Sequence, residues 1–539
     1  MRINDVTTDT SFAKEMLAEL NPDGYTSLVE RFVEACRTYA NQPAFNCLGQ
    51  DLTFAELEQK TRDFAAWLLS DGGLQAGDRL AVQLPNLIQY PVVAWGAIRA
   101  GVILVNTNPL YTERELVHQF NDSGAKKLVV LADLLPLVEK VIPQTGVEQV
   151  IVTNALDMIQ PQPAPDSSIA SLVTLPEVLA AGADKALPDV SLSMDSTLVL
   201  QYTGGTTGVA KGAVLTHANF FACAKQVERA ADIWEEGKEI FIAPLPIYHV
   251  YGFNTYLMGM IFRGGMSVLI PNPRDLDAMM TSMKPYRFTG FAGINTLFVS
   301  MLNHPMIDDI DFSALKLTIS GGSALMMDVA NKWEEKTGCR ISEGYGLSET
   351  AATVSFNRPG FQQVGTIGEP IPCTQVRIVD AEGEEVSEGE EGELLARGPQ
   401  IMRGYWNRPE ATAEAIDEQG WFKTGDIAVR QPDGYLKIVD RKKDMIIVSG
   451  FNVYPNEIED IASSHDGVLE CAAVGVDDEK SGEAVKLFVV KANPDLTADN
   501  LRAHCRQQLT AYKVPKHIEF LEELPKSNVG KILRRELRT

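Results

Sequence analysis

Between Tyr202 and Gly212 the chain reads Tyr-Thr-Gly-Gly-Thr-Thr-Gly-Val-Ala-Lys-Gly. Gly204, Gly205 and Gly208 remove side chains, so backbone N–H groups can approach phosphate oxygens; Thr203, Thr206 and Thr207 add hydroxyl donors, and Lys211 adds a full positive charge. This is the chemistry of a triphosphate cradle. The mostly apolar Thr197-Leu-Val-Leu200 before it and Ala213-Val-Leu215 after it read as strands, so the loop joins two sheet elements and no helix follows. That placement, with no Gly-Lys-Ser/Thr step, argues against the P-loop of nucleoside triphosphatases, whose glycines turn directly into a helix N-terminus.

Four further segments carry groups suited to the same ligand. Gly321-Gly322-Ser323-Ala324 follows an apolar strand and lets backbone approach a flat ligand at a sheet end. Glu343-Gly344-Tyr345-Gly346-Leu347-Ser348-Glu349-Thr350 puts a stacking ring, a hydroxyl and a carboxylate within a few residues, enough for base contact, phosphate contact and magnesium ligation. Trp421-Phe-Lys-Thr-Gly425-Asp426 presents a carboxylate after a glycine turn, suited to accept hydrogen bonds from the hydroxyls of a ribose. Leu524-Pro-Lys-Ser-Asn-Val-Gly530-Lys531 places two lysines on a glycine-bearing loop near the C-terminus, from which one can reach into a cleft.

These segments need a scaffold of more than one core. At 539 residues and 59.1 kDa, two or more domains are expected, and 45% hydrophobic with 22% charged residues is the balance of a globular protein with a sizeable interior. Forty-eight Lys+Arg against 72 Asp+Glu give a net charge of −24, which opposes nucleic-acid binding and requires a local basic site for any anionic ligand. The seven cysteines are scattered without Cys-x-x-Cys pairs, as expected of reduced, mostly buried thiols in a cytosolic protein. Met1–Leu20 has no basic region followed by an apolar core, and Tyr90–Val105 is too short to cross a bilayer and reads as buried core. A cytoplasmic location follows as the expectation, with membrane contact peripheral at most.

From Tyr25 to Val105 helices and strands alternate as in a layered α/β domain, with helices over 27–39, 53–69 and 89–100. Residues 154–195, with Pro161, Pro163, Pro165 and Pro188, read as a surface lid or loop. Strands resume over 238–243, 267–270, 315–320 and 375–379, and 380–393 reads as hairpins. Asp440-Arg-Lys-Lys-Asp444 is the expected hinge; beyond it, helices over 456–464 and 498–509 with strands over 470–476, 484–490 and 516–521 form a compact α+β unit. The fold expected is α/β: a large N-terminal domain (1–439) with parallel or mixed sheets, and a small mobile α+β domain (440–539).

In order and together, the loop Thr203–Lys211, Tyr345-Gly-Leu-Ser-Glu349, Thr424-Gly-Asp426, Asp440-Arg441, Ser449–Glu459 and Pro525–Lys531 resemble the adenylate-forming acyl-CoA synthetase superfamily, and within it the bacterial long-chain fatty acyl-CoA ligases, from about Tyr25 onward. The resemblance implies two half-reactions: a carboxylate attacks the α-phosphate of Mg-ATP to give acyl-AMP and pyrophosphate, then the thiol of coenzyme A displaces AMP. It implies that Lys531 brings positive charge to the meeting anions, that Glu349 and Thr203 hold magnesium, and that Thr203 through Lys211 and Ser348 contact phosphates. Tyr345, with Gly344 and Gly346 beside it and the backbone of Gly321, Gly322 and Ser323, would enclose adenine. Asp426 and Arg441 would clasp the ribose, with Ile438 in the same wall. His249 would line the acyl site, and Phe253, Phe291, Asn295 and Leu297 the acyl tunnel. For the second half, the small domain would rotate about Asp440, withdraw Lys531 and bring in the coenzyme A loop Ser449, Gly450 and Phe451.

The chain departs from the family in carrying serine at 348 where threonine is usual, in the short segment 154–195, and in Val-Tyr-Gly-Phe253 after His249. These leave membrane recruitment and acyl length open between medium and long chains, and a homodimer open as well. Rival readings are a ligase for another acyl or aryl acid, an acyl-AMP ligase feeding a carrier protein, a luciferase-type oxygenase, and a catalytically silent ATP-binding regulatory protein. The oxygenase lacks support at the C-terminus, which carries no peroxisomal address. The silent protein is expected to have lost Lys531 or Glu349, and both are present.

Overall fold

Short runs of Val, Leu and Ile without alternation build parallel strands covered on both faces. In the computed structural model, which describes residues 10–203, 210–449, 451–478, 480–527 and 530–538, such strands form two large sheets. The first has eight strands among the described residues. Arg79–Gln83, Ile103–Asn106, Lys127–Leu131, Gln149–Thr153 and Leu172–Thr174 run parallel, and Thr197–Thr203 joins them beside Ile103–Asn106. That last strand returns antiparallel as Lys211–Thr216, so residues 204–210 connect two neighbouring strands and no helix, in agreement with the sequence reading. The second sheet has nine described strands. Its parallel centre is Pro43–Cys47, Met266–Leu269, Ile240–Ala243, Gly290–Gly293, Leu317–Ser320 and Ile341–Tyr345.

The helix Gln89–Arg99 is buried along its whole length, as its apolar composition requires, and belongs to the largest core cluster. Gly96 lets it approach the helix Phe54–Leu69: a Cβ there would stand 2.7 Å from Phe64 Cδ1. Arg99 is buried with it, its guanidinium donating to the Glu58 carbonyl, the Thr61 hydroxyl and the Glu58 carboxylate. Among the described residues no helix is long and apolar enough to cross a membrane. The seven cysteines are unpaired, and all but Cys373 are buried.

Residues 154–195 are only partly the surface excursion expected. Leu172–Thr174 adds a strand to the eight-stranded sheet, and the helix Leu175–Ala183 packs on Phe54–Leu69 so closely that a Cβ at Gly182 would meet the Asp63 carbonyl at 2.0 Å. The helix starts on a capping box in which Thr174 and Glu177 satisfy each other's backbone N–H.

An antiparallel four-stranded sheet follows, Gln375–Val379, Glu391–Arg397, Phe422–Arg430 and Leu436–Arg441. The C-terminal unit then has its own core. Strands Ile446–Val448, Phe451–Val453, Val468–Asp478, Gly482–Lys491 and His517–Leu521 form one sheet, and the helices Pro455–Ser463 and Ala498–Gln508 cover it through Ile458, Ala462, Leu501 and Cys505. The chain is thus an α/β protein with a large N-terminal part of mixed sheets and a smaller C-terminal domain.

Candidate active site

A cavity of about 1610 Å³ opens where the ends of the two large sheets, the four-stranded sheet and the C-terminal unit meet. The strand pair Thr197–Thr203 and Lys211–Thr216 places Thr203 opposite Lys211 at its rim. The Lys211 ammonium lies 5.1 Å from the centre of the Tyr405 ring, and the Tyr405 hydroxyl donates to Glu349 Oε1 at 2.8 Å. A cation, a ring and a carboxylate are thereby held in one chain of contacts. Gly204, Gly205, Thr206, Thr207 and Gly208 lie outside the described residues.

Glu349 follows the strand Ile341–Tyr345 in a tight turn. Its carbonyl accepts from Met402 N–H at 2.7 Å, and burial raises the pKa of its carboxyl. The turn is strained: Ala351 and Ala352 take φ of 48° and 107°, in the left-handed region that disfavours a Cβ. It folds back so far that a Cβ on Gly346 would stand 1.8 Å from the Ala352 carbonyl oxygen. Ser348, Leu347 and Gly344 line the cavity beside it.

The Tyr345 hydroxyl donates to Asp426 Oδ2 at 2.5 Å, and Arg441 Nε stands 3.5 Å from Asp426 Oδ1. Asp426 and Arg441 are register partners across the antiparallel pair Phe422–Arg430 and Leu436–Arg441. Ile438 is on the same strand and also lines the cavity. Gly321, Gly322 and Ser323 form the opposite wall after Leu317–Ser320. Gly322 has φ +80°, and a Cβ on Gly321 would come within 3.1 Å of the Gly344 carbonyl, so backbone approaches backbone there.

Lys531 enters from the C-terminal unit. Its loop is pinned at both ends, by Lys526 on Glu470 at 2.7 Å and by Arg534 on Glu459, with Arg534 also 3.7 Å from buried Asp440. Between them Gly530, at φ +79°, lays its carbonyl on the Thr296 hydroxyl at 3.2 Å, docking the loop onto the N-terminal part. Burial, reinforced by the nearby Arg441 and opposed by Asp426, brings the Lys531 amine down to about 7. His249 is likewise brought down to about 4, by burial first and by the Lys531 charge second, so it is neutral at neutral pH. The two face the same space.

Glu343 belongs to this wall and was assigned no role from sequence. Burial raises its carboxyl to about 8, and its Oε2 finds no hydrogen-bond partner among the described residues. Tyr405 and Thr296 also lacked a sequence signal, because their contacts join segments far apart in the chain.

Other expected residues lie elsewhere. Ser449 donates its N–H to the Ser481 carbonyl, and Phe451 is 55% exposed and stacked on Tyr512, and neither lines the cavity that holds Lys531; Gly450 lies outside the described residues. Asn295 lines the cavity, whereas Phe253 is core packing against Phe220 and Phe291 packs against Trp333. Leu297 is partly buried between two core clusters.

The AMP-binding enzyme family matches residues 32–406, and the AMP-binding enzyme C-terminal domain matches residues 457–531. The chain belongs to the AMP-binding enzyme family. This AMP-binding enzyme is 48% identical over 543 residues to the long-chain-fatty-acid–CoA ligase of Salmonella typhimurium, covering 98% of this chain and 97% of that one. It is 37% identical over 526 residues to the ligase of the same name from Bacillus subtilis, covering 94% and 92%. Among solved structures it resembles a benzoate CoA ligase from Burkholderia xenovorans LB400 (TM-score 0.85, 27% identity, 96% and 100% covered). It also resembles the anthranilate CoA ligase AuaEII in complex with anthranoyl-AMP (TM-score 0.85, 25% identity, 95% and 96% covered). The AMP-binding enzyme is therefore an adenylate-forming protein whose two matched regions both contribute to one cavity.

Proposed function

We propose that this AMP-binding enzyme is a fatty acid–CoA ligase that activates a medium- to long-chain acid with ATP and transfers the acyl group to coenzyme A. The observation that carries the reading is Lys531, half-buried on a C-terminal loop that docks on the N-terminal part, lining one cavity with His249 and the Asp426–Arg441 pair. In the first half a carboxylate oxygen bonds to the α-phosphorus and the bond to pyrophosphate breaks. Two anions meet, so a preorganised ammonium lowers the barrier. Asp426 accepts from ribose hydroxyls, Tyr345 and the Gly321–Ser323 backbone enclose the base, and Ser348, Thr203 through Lys211 hold phosphate oxygens.

Magnesium fits as the companion of ATP. Glu349 is a buried carboxylate, and the described residues hold no group of three or more His, Cys, Asp or Glu placed to hold a metal, which suits an ion completed by phosphate oxygens and water. Glu349 and Thr203 would hold it, and it would neutralise phosphate charge.

In the second half the thiolate sulfur bonds to the acyl carbon and AMP leaves with the bonding pair. Pyrophosphate must first depart and a pantetheine arm enter, so residues 440–539 would turn about Asp440, taking Lys531 out and bringing Ser449–Phe451 in. Asp440 suits a pivot: it is buried and accepts from the N–H groups of Arg441, at the end of the four-stranded sheet, and of Asn456, on the first helix of the C-terminal unit. A cytoplasmic enzyme, peripheral on a membrane face at most, belongs to the same reading.

The test is acid-dependent AMP release with coenzyme A over acids of increasing chain length. Rates should climb with length as the apolar part of the cavity fills, by about 0.8 kcal/mol per buried methylene. Release with benzoate or ferulate in preference to every fatty acid, or acyl-AMP without thioester formation, would refute the reading.

A further inference from the structure

Past His249 the cavity leaves the nucleotide wall and runs into the interior of the N-terminal part. A row of rings marks its course. Tyr251 stands against Gly321, where a Cβ would lie 3.3 Å from its ring. The helical turn continues to Tyr256, whose ring is 6.5 Å from that of Phe241; Phe241 is 6.0 Å from Trp234, and the Arg263 guanidinium lies 3.9 Å from the Trp234 ring centre. Tyr251, Phe241, Trp234 and Arg263 line the cavity, with apolar Val227 and Met260 between them.

The last two residues of this row do not belong in a purely alkyl channel. Arg263 is 6% exposed, and its Nε has no hydrogen-bond partner among the described residues; the Trp234 indole N–H has none either. Glu228 stands 4.0 Å from the guanidinium, near enough to balance its charge and too far to accept a hydrogen bond. Burial lowers the guanidinium only to about 10, so it stays charged. Folded interiors leave few buried donors unpaired, and a charged guanidinium that lines the cavity and donates to no described residue calls for an acceptor from outside the protein.

We propose that Arg263 and Trp234 form a polar stop at the end of the acyl channel, which limits the length of saturated chains and binds a hydrogen-bond acceptor carried at the far end of an acyl chain, a hydroxyl or a carboxylate. The proposal rests on the fatty-acid reading above. Each methylene buried along the row raises affinity about fourfold. A methyl pushed against the pair reverses that gain, because it desolvates the guanidinium and offers it no acceptor. A terminal oxygen at the same depth supplies one.

The experiment compares kcat/KM for saturated acids of increasing length with the ω-hydroxy acid of each length, in the wild-type enzyme, Arg263→Met and Trp234→Phe. In the wild type, just beyond the optimum for saturated acids, the ω-hydroxy acid should be preferred by about tenfold. Each variant should bring that ratio toward one, and Arg263→Met should move the saturated optimum to longer chains. Absence of an ω-hydroxy advantage at every length, or a ratio unchanged in a folded variant, overturns the stop while leaving the fatty-acid reading intact. Should Arg263→Met not fold, Trp234→Phe, which keeps a ring and removes the N–H, decides alone. No turnover of any fatty acid by the wild type sinks the function itself.

Discussion

Replacing Lys531 by methionine, which keeps the half-buried stem and removes the charge, isolates the electrostatic part of the adenylation step. At about 4 Å from the developing charge, in a partly desolvated site of effective dielectric about 20, an ammonium contributes about 4 kcal/mol, or about a thousandfold in rate. ATP–pyrophosphate exchange should fall by that order in both Lys531→Met and Lys531→Ala, while thioester formation from supplied acyl-AMP changes less than about tenfold. The pH dependence has a definite sign. Burial lowers the Lys531 amine from its ordinary value to about 7 in the ligand-free protein, so its charge is present below that pH and lost above it. Because kcat/KM reports the free enzyme, kcat/KM for adenylation should decline from pH 7 upward. ATP phosphates restore the charged form, so the decline in kcat should begin at higher pH. Removing the Lys531 charge should also raise the pKa of His249, which that charge helps to lower. Equal loss of both half-reactions, or a kcat/KM for exchange that is flat from pH 6 to 9, would refute the assignment.

Glu349→Gln keeps an oxygen for the Tyr405 hydroxyl and removes the charge; the magnesium concentration for half-maximal exchange should rise at least about tenfold, and an unchanged magnesium titration would remove Glu349 from that role. Gly346→Ala drives a Cβ into the Ala352 carbonyl, so thermal unfolding should reveal a loss of about 1–3 kcal/mol together with a raised KM for ATP; an unperturbed KM would mean that the turn does not shape the nucleotide site. Gly450→Leu should spare exchange and abolish thioester formation from acyl-AMP, and the opposite pattern would contradict the domain rotation. Arg534→Met leaves Glu459 and Asp440 without their cation and Asp444 with Arg538 alone, which should cost about 3–5 kcal/mol in denaturant unfolding of the C-terminal unit; unaltered stability would show that the network is not balanced as its distances imply.

The sheet frame was legible because period and length agree with the buried parallel arrangement, and the loop after Thr203 was legible as a connection between strands because apolar runs flank it on both sides. The helix Leu175–Ala183 was missed for a compositional reason. The prolines at 161, 163, 165 and 188 dominate the segment, yet Thr174-Leu-Pro-Glu177 is a capping box with proline in the first turn, and Leu175, Val178 and Gly182 follow at helical spacing. The acyl wall was not legible from local pattern. Phe241 pairs in register with Gly290 and Ile242 with Phe291, so alternation sends Phe241 toward the cavity and Phe291 to the opposite face, against Trp333. Trp234 precedes the strand Ile240–Ala243 and Arg263 precedes its parallel neighbour Met266–Leu269, so the two meet at one end of the sheet, a meeting no local spacing along the chain encodes.

A chain with a net charge of −24 has to gather cations wherever it takes an anionic substrate, and here the gathering has a consequence for timing. Burial first, and then Arg441, Arg534 and Lys443, press the Lys531 amine toward neutrality, and Asp426 opposes them. Without nucleotide, then, the loop at 526–534 carries an ammonium that the site itself disfavours, held in place by Thr296 on Gly530 and by the Arg534 cluster at the hinge. Bound triphosphate changes the sign of that local field and makes the same ammonium favourable. Once pyrophosphate leaves, most of the negative charge leaves with it, and the cations that remain repel Lys531 from the pocket. The charge distribution that assists attack on the α-phosphate therefore also weakens the docked position of the C-terminal unit after attack, when Lys531 has to withdraw and the loop bearing Ser449 and Phe451 has to take its place.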